Sequence, residues 1–116
     1  MNSEIEQYLS ALADSMEKEI VLCDMNHKII YMNQYAKDHY APRFGEDLIG
    51  KNLLDCHNEH SAMIIKSTIQ KAVADGIDSV QITDKPNKNR KSYITMLKDE
   101  SGRYIGYYER YEGNAF

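Results

Sequence analysis

The chain has 116 residues, of which 42% are hydrophobic and 28% charged, enough for one core and too few for two. A net charge of −4 leaves no broad basic footprint, which argues against nucleic-acid binding. No apolar run approaches the ~20 residues needed to span a bilayer, so no membrane segment is expected.

Ser3 followed by Glu6 forms a capping box, and Ile5, Leu9, Leu12, Ala13 and Met16 then share one face. The spacing predicts an amphipathic helix over residues 4–17. A lone helix of that length is marginal in water and needs its own sheet, or a second copy of the chain, to lie on. Ile20 to Asp24 and Lys28 to Met32 read as two strands of a hairpin turning at Met25-Asn26-His27. Asn33 is a helix-capping type, and residues 34–40 read as a short helix ended by Pro42. Arg43 to Asp47 follows as loop, and Gly50 supplies a turn with positive φ.

The longest helix is expected between Asn58, a plausible N-cap, and Gly76, placed to close it in a left-handed conformation. Ala62, Ile65, Ile69, Ala72 and Val73 make a single apolar stripe along it. Every other element is short, so this helix should cover one face of a sheet. Three more strands follow: Asp78 to Thr83, Arg90 to Lys98 and Arg103 to Tyr111, with a loop over 84–89 and a hairpin turn at Asp99-Glu100-Ser101-Gly102. Straight alternation puts Ile94, Met96, Tyr104 and Tyr108 on one sheet face, and Tyr93, Ile105 and Tyr107 on the other. Both faces are apolar and both need cover.

The order of elements, and the segments IVLCDMNHKIIYMN, DLIGKNLLD and LKDESGRYIGYYERYE within it, resembles a PAS domain over roughly residues 18–112. The resemblance implies an α+β fold: a five-stranded antiparallel sheet with the helices of residues 34–75 on one face. The amphipathic helix of residues 1–18 is then a capping or dimerisation element, 19–112 the domain itself and 113–116 a tail. Family members hold ligands in the hollow between sheet and helices. That makes Cys56, His57, Ile65, Ile69, Ile94, Met96, Tyr104 and Tyr108 the candidates for cavity contacts. Tyr108 stands where light-sensing relatives place a glutamine against flavin. Ile5, Leu9, Leu12, Met16, Tyr93 and Tyr107 are the candidates for a dimer interface.

Cys56-His57-Asn58-Glu59-His60 is the most reactive-looking run. Its rival reading is a metal- or haem-binding redox sensor, since some haem-binding relatives take their histidine ligand from the helix that begins near His60. Zinc sites, however, show two separated ligand pairs, and the covalent haem motif has two cysteines before its histidine. A polar knot capping the long helix, with Cys56 as small buried filler, is favoured. Flavin–cysteine photochemistry is excluded at the Gly50-Lys51-Asn52 turn, because Leu53 stands where the reactive cysteine would be. The similar turn of photoactive yellow proteins is followed by a more distant cysteine than Cys56, so that chromophore is discounted. Lys85, Lys88, Arg90 and Lys91 read as a solvated hairpin loop, and Asp24 as a turn acid.

No phosphate loop, nucleophile elbow or framed acid pair is present, so an enzyme is not expected. Two cysteines make no disulfide framework and fit a reducing cytosol, which predicts a cytoplasmic location. The expected function is therefore a sensor or interaction module in signal transduction or transcription regulation. It is expected to form a homodimer, to take a small-molecule ligand whose identity the sequence does not give, and to act on a signalling partner equally unnamed.

Overall fold

The computed structural model describes residues 3–45, 47–85 and 90–113. Its elements are α1 (Ser3–Ser15), β1 (Ile20–Asp24), β2 (Ile29–Met32), α2 (Gln34–Phe44), a 3₁₀ turn (Leu53–Cys56), α3 (Glu59–Asp75), β3 (Ser79–Lys85), β4 (Arg90–Lys98) and β5 (Tyr104–Gly113). The strands form one five-stranded antiparallel sheet, as the resemblance implies, and their order is β2-β1-β5-β4-β3. The loop tip at 86–89 and residues 114–116 of the expected tail lie outside the described residues, as does the expected side-chain cluster of Lys85, Lys88, Arg90 and Lys91.

Local chemistry sets the element ends. The Asn58 side chain accepts from Ser61 N at 2.8 Å to start α3. Gly76, at φ 68°, closes α3 by donating to Ala72 O. Ile65, Ile69 and Ala72 bury the predicted stripe, whereas Val73 at its margin stays 39% exposed. In the first hairpin, Asp24 Oδ1 accepts from Asn26 N and Lys28 N at 2.9 and 3.0 Å, which makes Asp24 the turn acid expected of it. In the last hairpin, Asp99 Oδ1 accepts from Ser101 Oγ, Ser101 N and Arg103 N. Those bonds, the Ser101 hydroxyl first, hold the Asp99 carboxyl below the usual carboxylate range.

Three elements run past their predicted ends: β3 reaches Lys85 rather than Thr83, β5 reaches Gly113 rather than Tyr111, and α2 overruns furthest. α2 was expected to stop at residue 40, but it continues through Pro42 to Phe44. The proline forfeits one backbone hydrogen bond. The last turn is nonetheless held by Gly45, which donates to Ala41 O at 2.8 Å from φ 64°, and by the rings of Tyr40 and Phe44, 6.1 Å apart.

β5 carries the feature that alternation could not show. Leu97 pairs with Gly106, but the next residue, Lys98, pairs with Tyr104, so Ile105 is an extra residue in a bulge. The bulge reverses the side-chain parity beyond it. Tyr104 and Tyr107 therefore both face the helices, while Tyr108 faces the opposite side.

α1 does not lie along the sheet. It is tethered near its C-terminal end, where Asn33 Nδ2 donates to Ala13 O at 3.1 Å, Gln34 N donates to Asp14 Oδ1 at 2.8 Å, and Ser10 Oγ meets Tyr31 Oη at 3.0 Å. Ile5, Leu9, Leu12 and Met16 are left exposed, together with Tyr8. After α2 the chain returns along the rim of β2. There Gly50 N donates to Ile29 O, Ile29 N to Lys51 O and Leu53 N to His27 O, all within 2.8 Å.

Candidate ligand site on the inner sheet face

Two cross-strand rows make up the middle of the sheet face that meets the helices. One runs Met32, Val21, Glu109, Ile94, Val80 from β2 to β3. The other runs Ile29, Cys23, Tyr107, Met96. Ile65 and Ile69 of α3, and Leu53 and Cys56 of the 3₁₀ turn, complete the same buried cluster. Gly106 lets the central strand approach β1, because a Cβ there would overlap the Cys23 carbonyl oxygen.

Two polar groups stand out in this apolar surface. Tyr107 is fully buried, and its hydroxyl lies 2.8 Å from His27 Nδ1 and within hydrogen-bonding reach of the Cys23 thiol. Burial pushes the Cys23 thiol up to about 12 and the Tyr107 hydroxyl well above its ordinary range. His27 is lowered by burial first and the Lys66 charge second. The Tyr107 hydroxyl thus relays between the Cys23 thiol and His27 Nδ1, and the tautomer of the imidazole sets which partner donates in the His27–Tyr107 bond. The relay leads from the core to the half-buried turn of the first hairpin.

Glu109 is the second polar group. It occupies the centre of the five-membered row, between Val21 and Ile94, with 2% of its surface exposed. Its Oε1 has no hydrogen-bond partner among the described residues. Burial alone raises its carboxyl from an ordinary 4.5 to about 7. Between those values the folded protein binds more protons than the unfolded chain, so stability should fall as pH rises from 4.5 to 7. A rise of that size corresponds to about 3 kcal/mol. Glu109→Gln should flatten that part of the profile in urea titrations at stepped pH. An unchanged slope would show that Glu109 is not its source.

The structure brings together Cys56, Ile65, Ile69, Ile94 and Met96 in one buried cluster, with Tyr104 packed against it. It separates the remaining cavity candidates. Tyr108 is displaced to the outer face, next to Leu22 of β1 and Thr95 of β4. His57 caps the 3₁₀ turn, half-buried. Tyr107, expected at a dimer interface, lies instead in the core, and the cause of both reversals is the bulge at Ile105. Tyr93 does reach the outer face, with the Arg110 guanidinium 4.6 Å from its ring centre.

Cys56 points its thiol at Asn52 O, at 3.7 Å, while His60 is exposed in the first turn of α3. Among the described residues no three His, Cys, Asp or Glu side chains converge to hold a metal ion. A separate open cleft of about 380 Å³ lies over α2, lined by Lys37, Tyr40, Ala41, Gly45, Asp47 and Leu48 among others, and includes none of the predicted cavity residues. The sequence reading missed Glu109 and the His27–Tyr107 pair. An acid inside an otherwise apolar strand was the available signal for Glu109; the His27 contact spans 80 positions and left none.

Among the described residues no helix is long and apolar enough to cross a membrane. No curated protein matches the chain. Solved structures share its fold at low identity. A C-terminal domain from Streptococcus mutans aligns with TM-score 0.74 at 17% identity, covering 94% of this chain and 84% of that one. A sensory box sensor histidine kinase from Vibrio cholerae aligns with TM-score 0.66 at 20% identity, covering 96% and 92%. A VqmA–ligand–DNA complex, also from Vibrio cholerae, aligns with TM-score 0.63 at 18% identity, covering 94% of this chain and 50% of that one. A PAS domain profile matches residues 9–112, and with the sheet order and helix placement above, the chain belongs to the PAS domain family.

Proposed function

We propose that this chain is a ligand-responsive sensor module that binds a small molecule between the inner sheet face and helices α2 and α3. It passes the resulting change to a second copy or a signalling partner through α1. The observation that carries this reading is Glu109. A carboxyl with an unmet oxygen at the centre of an apolar row costs stability that a valine or leucine would not, and such a cost is commonly retained for binding. The similar fold of VqmA, which occurs in a complex with ligand and DNA, agrees with a ligand-responsive role.

The mechanism is differential binding. A ligand that prefers one packing of α3 on the sheet shifts the population toward it. Asn33 caps α2, bonds the start of β1 and holds the end of α1, so a shift of α2 reaches α1 through one side chain. Binding rather than turnover is the output. Native mass spectrometry of freshly purified protein tests the reading by reporting bound mass and oligomeric state together. A bound small molecule that methanol extraction releases is expected. Protein of bare chain mass that also takes up no member of a small-molecule panel would overturn it.

The exposed face of Ile5, Tyr8, Leu9, Leu12 and Met16 is the proposed dimer surface. Deleting residues 1–17 should convert a dimer to a monomer by light scattering. A dimer that survives the deletion removes α1 from the interface.

A further inference from the structure

The central strand β5 lies between the footprints of two helices. α2 makes its close backbone approaches to β1 and β2, and α3 to β3, β4 and the 3₁₀ turn. Glu109 points inward from the middle of β5, between these footprints. Its flanking residues in the row, Val21 and Ile94, have no polar side-chain atoms, and Ile65 and Ile69 of α3 add none. Among the described residues Oε1 has no hydrogen-bond partner, and burial is what raises the carboxyl. An acceptor oxygen in such a place calls for a donor brought from outside.

We propose that the ligand of this site carries a cationic N–H group, an amine, amidine or protonated heterocycle, which donates to Glu109 Oε1 while an apolar body packs on Val21, Ile94, Ile65 and Ile69. The proposal rests on the sensor reading above and adds the ligand's chemical class. The cation meets an ionised carboxylate, so a proton leaves Glu109 to solvent on binding. Tyr104 of β5, Tyr40 of α2 and Cys56 of the 3₁₀ turn also lie in or against this cluster, while Cys23 from β1 and Tyr107 from β5 are held protonated by burial and change no charge near neutrality. His27, beyond Tyr107, is held toward its neutral form by burial and by the Lys66 charge.

Benzamidine and its neutral near-isostere benzamide are the probes, titrated into the full chain and followed by the NMR signals of Ile65, Ile69, Ile94 and Tyr107. Benzamidine should bind at least tenfold more tightly than benzamide at pH 8, and Glu109→Gln should abolish the preference. In the wild-type protein its affinity should rise about tenfold from pH 6 to pH 8, as a group titrating near 7 ionises. Equal binding of the two probes, a preference that survives Glu109→Gln, or a flat pH series overturns the cation assignment and leaves ligand binding at this face standing. Failure of both probes to perturb any of these signals overturns ligand binding here and the cation assignment together. The wild-type pH series decides the matter if the variant does not fold.

Discussion

Alanine at Gly106 is expected to destabilise the protein by about 4 kcal/mol or more, enough to unfold many domains of this size. The added Cβ would overlap the carbonyl oxygen of Cys23, a backbone atom in the neighbouring strand that cannot rotate away. Relief requires β1 and β5 to part at the Cys23–Tyr107 and Asp24–Gly106 pairs, beside the Tyr107 relay. The damage should therefore reach His27, whose ring signals would report loss of the contact to Tyr107. Gly102→Ala is the control. Gly102 has φ 88° with open space around it, so alanine there costs only backbone strain, about 1 kcal/mol. Comparable midpoints for the two variants in urea denaturation would refute the close-approach account.

Asn33→Ala should cost nearly as much, about 4 kcal/mol, at roughly 1 kcal/mol for each lost hydrogen bond. The buried side chain accepts from Ile20 N and Ala36 N, both at 3.0 Å, and donates to Lys18 O and Ala13 O at 2.7 and 3.1 Å. Alanine returns none of these bonds and leaves the start of β1 and the first turn of α2 without their acceptor. Asn33→Asp separates the roles, since it keeps the acceptors and removes the donors. Hydrogen exchange in residues 3–15 should then accelerate while α2 stays protected. Unchanged exchange in α1 would show that the helix is held by contacts other than Asn33.

Much of this architecture was legible because short-range chemistry specifies it. Asn58 and Gly76 bracket α3, Asp24 and Asp99 mark two turns, and the apolar stripe through Ile65 and Ile69 announces a covered face. What the sequence hid were departures from regular geometry. Alternation assumes every strand residue has an opposite number, and the extra Ile105 breaks that assumption, so Tyr107 and Tyr108 exchange the faces assigned to them. Pro42 suggested a helix end because its missing N–H is visible in sequence, whereas the Gly45 closure and the Tyr40–Phe44 contact that outweigh it depend on the fold. Five of the residues named for a cavity share one buried cluster, yet the two most unusual groups were overlooked. Glu109 is remarkable for where it lies, and a carboxylate's surroundings are set by strands far apart in the chain.

The return of the chain along β2 has a bearing on self-association. Ile29 already spends its outward amide and carbonyl on Lys51 and Gly50, so this four-residue margin has little left to recruit a foreign strand. Among the described residues the opposite margin, β3, has a strand neighbour on one side only. Head-to-tail growth into a filament needs two adhesive borders, whereas a molecule with one can mate once, β3 to β3, and stop. Edge pairing by this protein would thus end at a closed pair.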